Sequence, residues 1–124
     1  QVTAVPDSLH AKRILVVDDV EMSRRVVARM LSHAGYDPIC VHSGATALVC
    51  LERAHFDAMV LDLKMPGMDG WQVLHAVRAL APRLPIVLHS AHEQLDPVLT
   101  TEHICFLRKP YRPADLTSAL ARVL

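Results

Sequence analysis

The chain has 124 residues, with 13 basic and 13 acidic side chains and a hydrophobic content of 52%. Because domains cluster near ~100–150 residues, we expect one compact domain. The balanced charge argues against a nucleic-acid-binding module, which would carry a basic face. No apolar run approaches the ~20 residues that a membrane-spanning helix needs, so direct membrane contact is not expected.

The cysteines and the N-terminal stretch also narrow the class of protein. Cys40, Cys50 and Cys105 lack paired spacing, which argues against a disulfide framework or a zinc site and predicts buried, reduced thiols. Residues 1–11 have no clear periodicity and read as a linker, so we expect the domain over residues 12–124 and a longer parent protein.

Short apolar runs alternate with longer amphipathic stretches along the chain, which is typical of βα units around a parallel sheet. The predicted strands cover residues 13–17, 37–42, 58–61, 86–89 and 104–107. The predicted helices comprise one whose inner face is Met22, Val26, Val27, Met30 and Leu31, and three over residues 45–53, 71–80 and 113–123. Gly35 is expected to end the first helix, and Ser43 to cap the second.

The stretch between Ser90 and Ile104 departs from this alternation. It has few residues and Pro97 interrupts it, so a full helix with connectors hardly fits. We expect the helix between the fourth and fifth strands to be short or irregular.

Polar side chains stand at the ends of four predicted strands: Asp18 and Asp19, Asp62, Ser90, and Lys109. Because ligands bind at the carboxyl ends of the strands in open α/β sheets, we expect these side chains to meet. Clustered carboxylates repel unless a cation joins them, and such oxygen-rich sites suit Mg²⁺. An Asp there can act as a nucleophile, while a lysine and a serine hydroxyl grip the added phosphoryl oxygens.

Four stretches, in this order, resemble the receiver (response-regulator) domain of two-component signalling: ILVVDD at 14–19, VLDLKMPGMDG at 60–70, LHSA at 88–91 and FLRKP at 106–110. The resemblance runs from about Lys12 to Leu124. It implies a single doubly wound, flavodoxin-like α/β fold, with a five-stranded parallel sheet in the order 2-1-3-4-5 and helices on both faces.

The resemblance assigns a role to each residue that matches the family motifs. Asp62 would be the phosphoacceptor, Asp19 a direct Mg²⁺ ligand, and Asp18 a ligand or a holder of metal-bound water. The backbone carbonyl of Lys64 would complete the protein ligands of the metal.

The remaining roles concern the switch. Ser90 would turn toward the phosphoryl group, Phe106 would be the aromatic residue that moves with it, and Lys109, joined to Pro110 by a cis bond, would contact the phosphoryl group. Simpler readings stay open: Asp18 and Asp19 as helix caps, Lys109 as a solvated charge, and Phe106 as core.

Two positions depart from the pattern of fast self-dephosphorylating relatives. These flank the path of the hydrolytic water, and here they hold Lys64 and His92 rather than an amide or an acid. Lys64 can only donate hydrogen bonds and His92 is large, so we expect slow or partner-dependent loss of phosphate. His89 and His92 straddle a predicted strand end, and their spacing does not predict a zinc site.

The function expected from these residues is a cytoplasmic phosphoacceptor, in itself not a classical enzyme, that switches a protein-binding surface. A histidine kinase or histidine phosphotransfer domain would donate the phosphoryl group, a protein effector would read it by contact, and a hybrid sensor histidine kinase is a plausible parent. One alternative is a binding module that never turns over phosphate. Another, an aspartyl-phosphate phosphatase, is disfavoured because it would need an acid at position 64.

Overall fold

Residues 11–64, 70–90 and 103–124 are described by this computed structural model, and within them five strands and four helices form. The strands are β1 (Arg13–Val17), β2 (Asp37–Val41), β3 (Ala58–Asp62), β4 (Ile86–Ser90) and β5 (Ile104–Arg108). The helices are α1 (Glu21–His33), α2 (Gly44–Arg53), α3 (Gly70–Leu80) and α4 (Pro113–Val123). The element boundaries predicted from periodicity agree with these to within one residue wherever a boundary was given.

All strand pairs are parallel, and the sheet has the order β2-β1-β3-β4-β5. The predicted doubly wound, flavodoxin-like fold is therefore confirmed. The segment between β4 and β5, where a short or irregular helix was expected, lies outside the described residues. Among the helices that are described, none is both long and apolar enough to cross a bilayer.

Alternate residues of each strand point to opposite faces of the sheet, which creates two cores. One core packs strand residues such as Leu15, Leu61 and Leu88 against α2 and α3, and the other packs Val16, Val60 and Val87 against α1 and α4. Because the strands are covered on both sides, a polar residue at a strand end lies beside one of two separate helix layers. The face of the sheet on which a polar residue lies therefore decides which other functional residues its side chain can contact.

Two local signals behave as predicted. The Ser43 hydroxyl accepts the N–H of Thr46 at 3.2 Å and caps α2. Gly35 has φ of 90° directly after the last turn of α1, a conformation that a glycine adopts without steric cost.

The predicted inner face of α1 was too wide. Val27 and Leu31 are buried, but Met22 is 71% and Val26 46% exposed, because the sheet and α4 cover only a narrow stripe of this helix. The prediction of buried thiols was also wrong: Cys40 is exposed on the edge strand β2, and the other two cysteines are only partly buried.

Candidate functional site

The site lies at the carboxyl edge of the sheet, on the face that α1 and α4 cover. Asp18 directly follows β1, Asp62 ends β3, and His89 is the register partner of Asp62 on β4. All three side chains are buried, and one ligating atom from each lies within 4.8 Å of the others. Strand alternation explains why these side chains meet. Each of the three directly follows a residue of the core on the α2 and α3 side, and successive strand residues point to opposite faces of the sheet.

Asp18 is held by several donors. Its Oδ1 accepts the N–H of Val20 at 2.9 Å, and its Oδ2 accepts the hydroxyl of Ser23 and faces the ammonium of Lys109. Burial raises the pKa of Asp18, but these hydrogen bonds and the charge of Lys109 outweigh it and leave the pKa below its usual value. Val20 is the N-cap residue of α1, so Asp18 does not act as its side-chain cap.

Asp62 is held by fewer donors than Asp18. Its Oδ1 accepts the backbone N–H of Lys64 at 3.0 Å, and its Oδ2 lies 3.5 Å from Nζ of Lys109. Burial raises the pKa of Asp62, and the nearby charge of Asp18 adds to this, so the pKa stays above its usual value despite the two donors. The two carboxylates thus experience opposite shifts at one site.

Lys109 bridges the two acids. Its Nζ lies 3.5 Å from Oδ2 of Asp18 and 3.5 Å from Oδ2 of Asp62, while its backbone N–H donates to the carbonyl of Ser90 at 2.8 Å. The lysine directly follows β5, and its bond to Pro110 is cis, as the resemblance implied. Its side chain is therefore part of the site, which removes the reading of a solvated strand-end charge.

His89 is the residue of the site that sequence reasoning missed. Its Nδ1 lies 2.9 Å from the hydroxyl of Tyr111, and its Nε2 lies 3.8 Å from Oδ2 of Asp18. Burial and the charge of Lys109 lower the pKa of His89 to about 3, so the imidazole is neutral. Burial, with Asp18 and Asp62 nearby, raises the pKa of Tyr111. The available signal was its place in the strand, which puts it beside the end of β3.

The other predicted site residues lie around this centre. Asp19 is partly buried and is not one of the three residues whose ligating atoms cluster within 4.8 Å. Lys64 is exposed after β3, and Ser90 is buried at the end of β4. Phe106 is partly buried against the core on the α2 and α3 side. His92 lies outside the described residues.

Strand alternation places Ser90 and Phe106 on the same face of the sheet. Leu88 and Phe106 are register partners, and Ser90 is two residues beyond Leu88. This is the face opposite to that of Asp62 and His89. The geometry is compatible with the aromatic residue as a switch and with the same residue as part of the core.

Comparisons with known proteins agree on the class of protein. A family model described as "Response regulator receiver domain" matches residues 14–121, and the chain belongs to this family. It is a receiver domain of two-component signalling.

A relative with a similar sequence supports this assignment. The chain is 32% identical over 120 residues to the sensory/regulatory protein RpfC of Xanthomonas campestris, covering 91% of this chain and 16% of RpfC. It therefore spans only a small part of that relative's length.

Two solved structures are also similar. The chemotaxis protein CheY4 of Vibrio cholerae has a TM-score of 0.82 and 30% identity, with 93% of this chain and 100% of that chain covered. The receiver domain of the sensor histidine kinase PA1611 of Pseudomonas aeruginosa has a TM-score of 0.81 and 28% identity, with 91% and 97% covered. The latter structure is described with a magnesium ion coordinated in its active site cleft.

Proposed function

We propose that this receiver domain accepts a phosphoryl group on the carboxylate of Asp62 from a phosphohistidine of a histidine kinase or a histidine phosphotransfer domain. The observation that carries the proposal is the placement of Lys109, whose Nζ is 3.5 Å from Oδ2 of both Asp18 and Asp62. Two buried carboxylates with one ammonium between them leave the site net negative, so a divalent cation at the carboxylates is what would let it gain a negatively charged phosphoryl group.

The donor set fits a magnesium ion. The carboxylates of Asp18 and Asp62 are hard oxygen ligands within 4.8 Å of each other, and Asp19, the next residue after Asp18, is partly buried. We assign Asp18, Asp19, Asp62 and the carbonyl of Lys64 as the groups that would hold it. When bound, the ion would neutralise charge on the carboxylates and on the incoming phosphoryl oxygens.

The proposed transfer forms one bond and breaks one. An oxygen of the Asp62 carboxylate attacks phosphorus, the P–N bond of the phosphohistidine breaks, and its electron pair stays on the departing imidazole nitrogen. Lys109 holds a phosphoryl oxygen through its ammonium. The N–H of Lys64, which already donates to Oδ1 of Asp62 at 3.0 Å, fixes the carboxylate so that Oδ2 is the attacking oxygen.

The readout of phosphorylation is proposed to follow from Ser90 and Phe106. The Ser90 hydroxyl would turn toward the new phosphoryl group, and Phe106, which lies on the same face of the sheet, would move inward. This changes the surface that a protein effector contacts. The similarity to RpfC and to the PA1611 receiver supports a parent of the hybrid sensor histidine kinase kind, in which this domain would act in the cytoplasm.

The test is to incubate the domain with acetyl phosphate, with and without Mg²⁺, and to record its intact mass. We expect a Mg²⁺-dependent gain of one phosphoryl group that is absent from Asp62→Asn. Asp37→Asn is the matched control, because Asp37 is an exposed carboxyl at the opposite edge of the sheet.

Other outcomes would point elsewhere. A gain that persists in Asp62→Asn would place the phosphoacceptor at another residue. No gain in the native chain, even with a phosphorylated histidine phosphotransfer domain as donor, would favour a binding module that never takes up phosphate.

A further inference from the structure

The imidazole of His89 takes no part in the proposed phosphoryl transfer, although it is buried at the same site. Its side chain is fully inaccessible to solvent, and its Nε2 has no hydrogen-bond partner within the described part of the chain. A buried polar atom without a partner costs free energy, so its retention calls for a ligand or another role. The atom points toward the carboxylates of Asp18 and Asp62.

The other ring nitrogen explains how Nε2 can act as a ligand. In the tautomer with hydrogen on Nδ1, this group donates to the hydroxyl of Tyr111 at 2.9 Å. The lone pair of Nε2 then faces the carboxylates. Anchoring one ring nitrogen by a hydrogen bond is how metal-binding histidines are oriented in proteins.

We propose that Asp18, Asp62 and His89 form a site of two carboxylates and one imidazole that binds a borderline transition-metal ion of the zinc class. Imidazole nitrogen suits such ions, whereas Mg²⁺ prefers oxygen ligands. This inference rests on the proposed function only in that both use the carboxylates of Asp18 and Asp62, and it requires no phosphoryl transfer.

The distances allow this coordination after a small contraction. Ligand atoms around a tetrahedral zinc ion with bonds of ~2.0–2.2 Å lie roughly 3.3–3.6 Å apart. Nε2 of His89 is 3.8 Å from Oδ2 of Asp18, and the ligating atoms of all three residues lie within 4.8 Å of one another. The ligating atoms therefore have to approach one another by less than the length of one metal–ligand bond.

The ammonium of Lys109 competes for the same place. It lies 3.5 Å from the two Oδ2 atoms, but its side chain is 28% exposed and can withdraw into solvent along its flexible stem. A transition metal would thus exclude both Mg²⁺ and Lys109 from the carboxylates, and the unphosphorylated receiver would be held in a metal-blocked form.

The test measures binding without phosphorylation. The native chain and its variants are titrated with Zn²⁺ and, separately, with Mg²⁺ by calorimetry, while the ring nitrogens of the histidines are followed by NMR. We expect Zn²⁺ to shift the Nε2 signal of His89, and the double variant His89→Leu/Tyr111→Phe to bind Zn²⁺ at least about tenfold more weakly. Its Mg²⁺ affinity should stay within about twofold of the native value.

Two further variants separate this site from surface binding. His55 is exposed and pairs with Asp57 at 3.2 Å, so His55→Ala removes a surface imidazole next to a carboxylate and should leave the tight Zn²⁺ site intact. Lys109→Met should strengthen Zn²⁺ binding, because the competing ammonium is gone.

The native chain alone can overturn the inference, even if the double variant does not fold. An Nε2 signal of His89 that does not move at saturating Zn²⁺ would contradict it, and so would equal Zn²⁺ affinity in a folded double variant. If Zn²⁺ leaves the His89 signal unmoved while Asp62→Asn loses Mg²⁺ binding, this inference is refuted and the proposed function still stands.

Discussion

The backbone N–H of Lys64 donates to Oδ1 of Asp62 at 3.0 Å, so the residue two positions after the proposed phosphoacceptor is tied to it through the main chain while its side chain stays exposed. The side chain can therefore change without loss of this hydrogen bond. Substitutions at position 64 can therefore test how the side chain there affects the water that would hydrolyse an acyl phosphate.

Lys64→Asn is expected to shorten the lifetime of the phosphorylated domain several-fold. A lysine ammonium can only donate hydrogen bonds, whereas the carboxamide oxygen of asparagine can accept one from water and orient it for attack. The measurement is the decay of the phosphorylated species by intact mass after the phosphodonor is removed. Lys12→Asn, at an exposed lysine before β1, is the control, and an unchanged lifetime in Lys64→Asn would contradict the prediction.

Gly70→Ala is expected to destabilise the domain by about 2–3 kcal/mol. The N–H of Gly70 donates to the carbonyl of Leu63 at 2.9 Å, and a Cβ at Gly70 would lie 2.3 Å from Cα of Leu63. Because that contact is with backbone next to Asp62, the end of β3 would have to move. Urea denaturation gives the change in the free energy of unfolding.

The control for this change is Gly35→Ala. A Cβ at Gly35 meets no atom within 4 Å, and its cost comes only from the positive φ of 90°, about 1 kcal/mol. If Gly70→Ala were the milder of the two substitutions, the close approach would not be what selects glycine there.

Asp57→Ala is expected to lower the free energy of unfolding by about 1–2 kcal/mol at neutral pH. The carboxylate of Asp57 accepts the backbone N–H of Arg13 at 2.8 Å and lies 3.2 Å from Nε2 of His55. Burial raises the pKa of Asp57, but these donors outweigh it, and the pKa in the folded state lies below its usual value.

The sign of the pH dependence follows from this lowered pKa. Asp57 contributes its stabilisation above the pKa of the unfolded state and loses it as the pH falls through the folded pKa. The difference between the native chain and Asp57→Ala should therefore be constant above about pH 5 and shrink progressively as the pH falls further. Asp37→Ala controls for the change in net charge, and a difference that is constant with pH would contradict the assignment.

Arg78→Met is expected to cost about 2 kcal/mol, because it leaves backbone carbonyls without a charged donor. The guanidinium of Arg78 donates to the carbonyls of Leu84 at 2.7 Å, Ala81 at 3.3 Å and His103 at 3.3 Å. It thereby ties the end of α3 to the residues that precede β4 and β5.

Arg78→Lys should recover only part of this stability, since a single ammonium cannot span the three carbonyls. Thermal unfolding of both variants beside Arg29→Met, a change at an exposed arginine of α1, provides the comparison. Equal stability of Arg78→Met and Arg29→Met would show that the three hydrogen bonds contribute nothing measurable.

Much of the fold followed from local patterns. Apolar runs of strand length and amphipathic runs of helix length predicted the bounds of eight elements to within one residue and the presence of α1, because each pattern reports which faces must leave water. The meeting of Asp18, Asp62 and Lys109 also followed, because the carboxyl ends of parallel strands lie at one edge of a sheet.

What only the tertiary structure decided is which faces are covered and which atoms are satisfied. Met22 and Val26 share the periodicity of the buried residues of α1, yet they are exposed because the sheet and α4 cover a narrow stripe. Cys40 is exposed because β2 is an edge strand.

The same reason applies to His89. Its place on β4 reveals its neighbours in the strand. It does not reveal that Tyr111 lies 2.9 Å from one ring nitrogen, or that the other, beside Asp18, has no hydrogen-bond partner among the residues that the structure describes. Periodicity reports the direction in which a side chain points, whereas the partners of a buried polar atom depend on distant segments that only packing brings together.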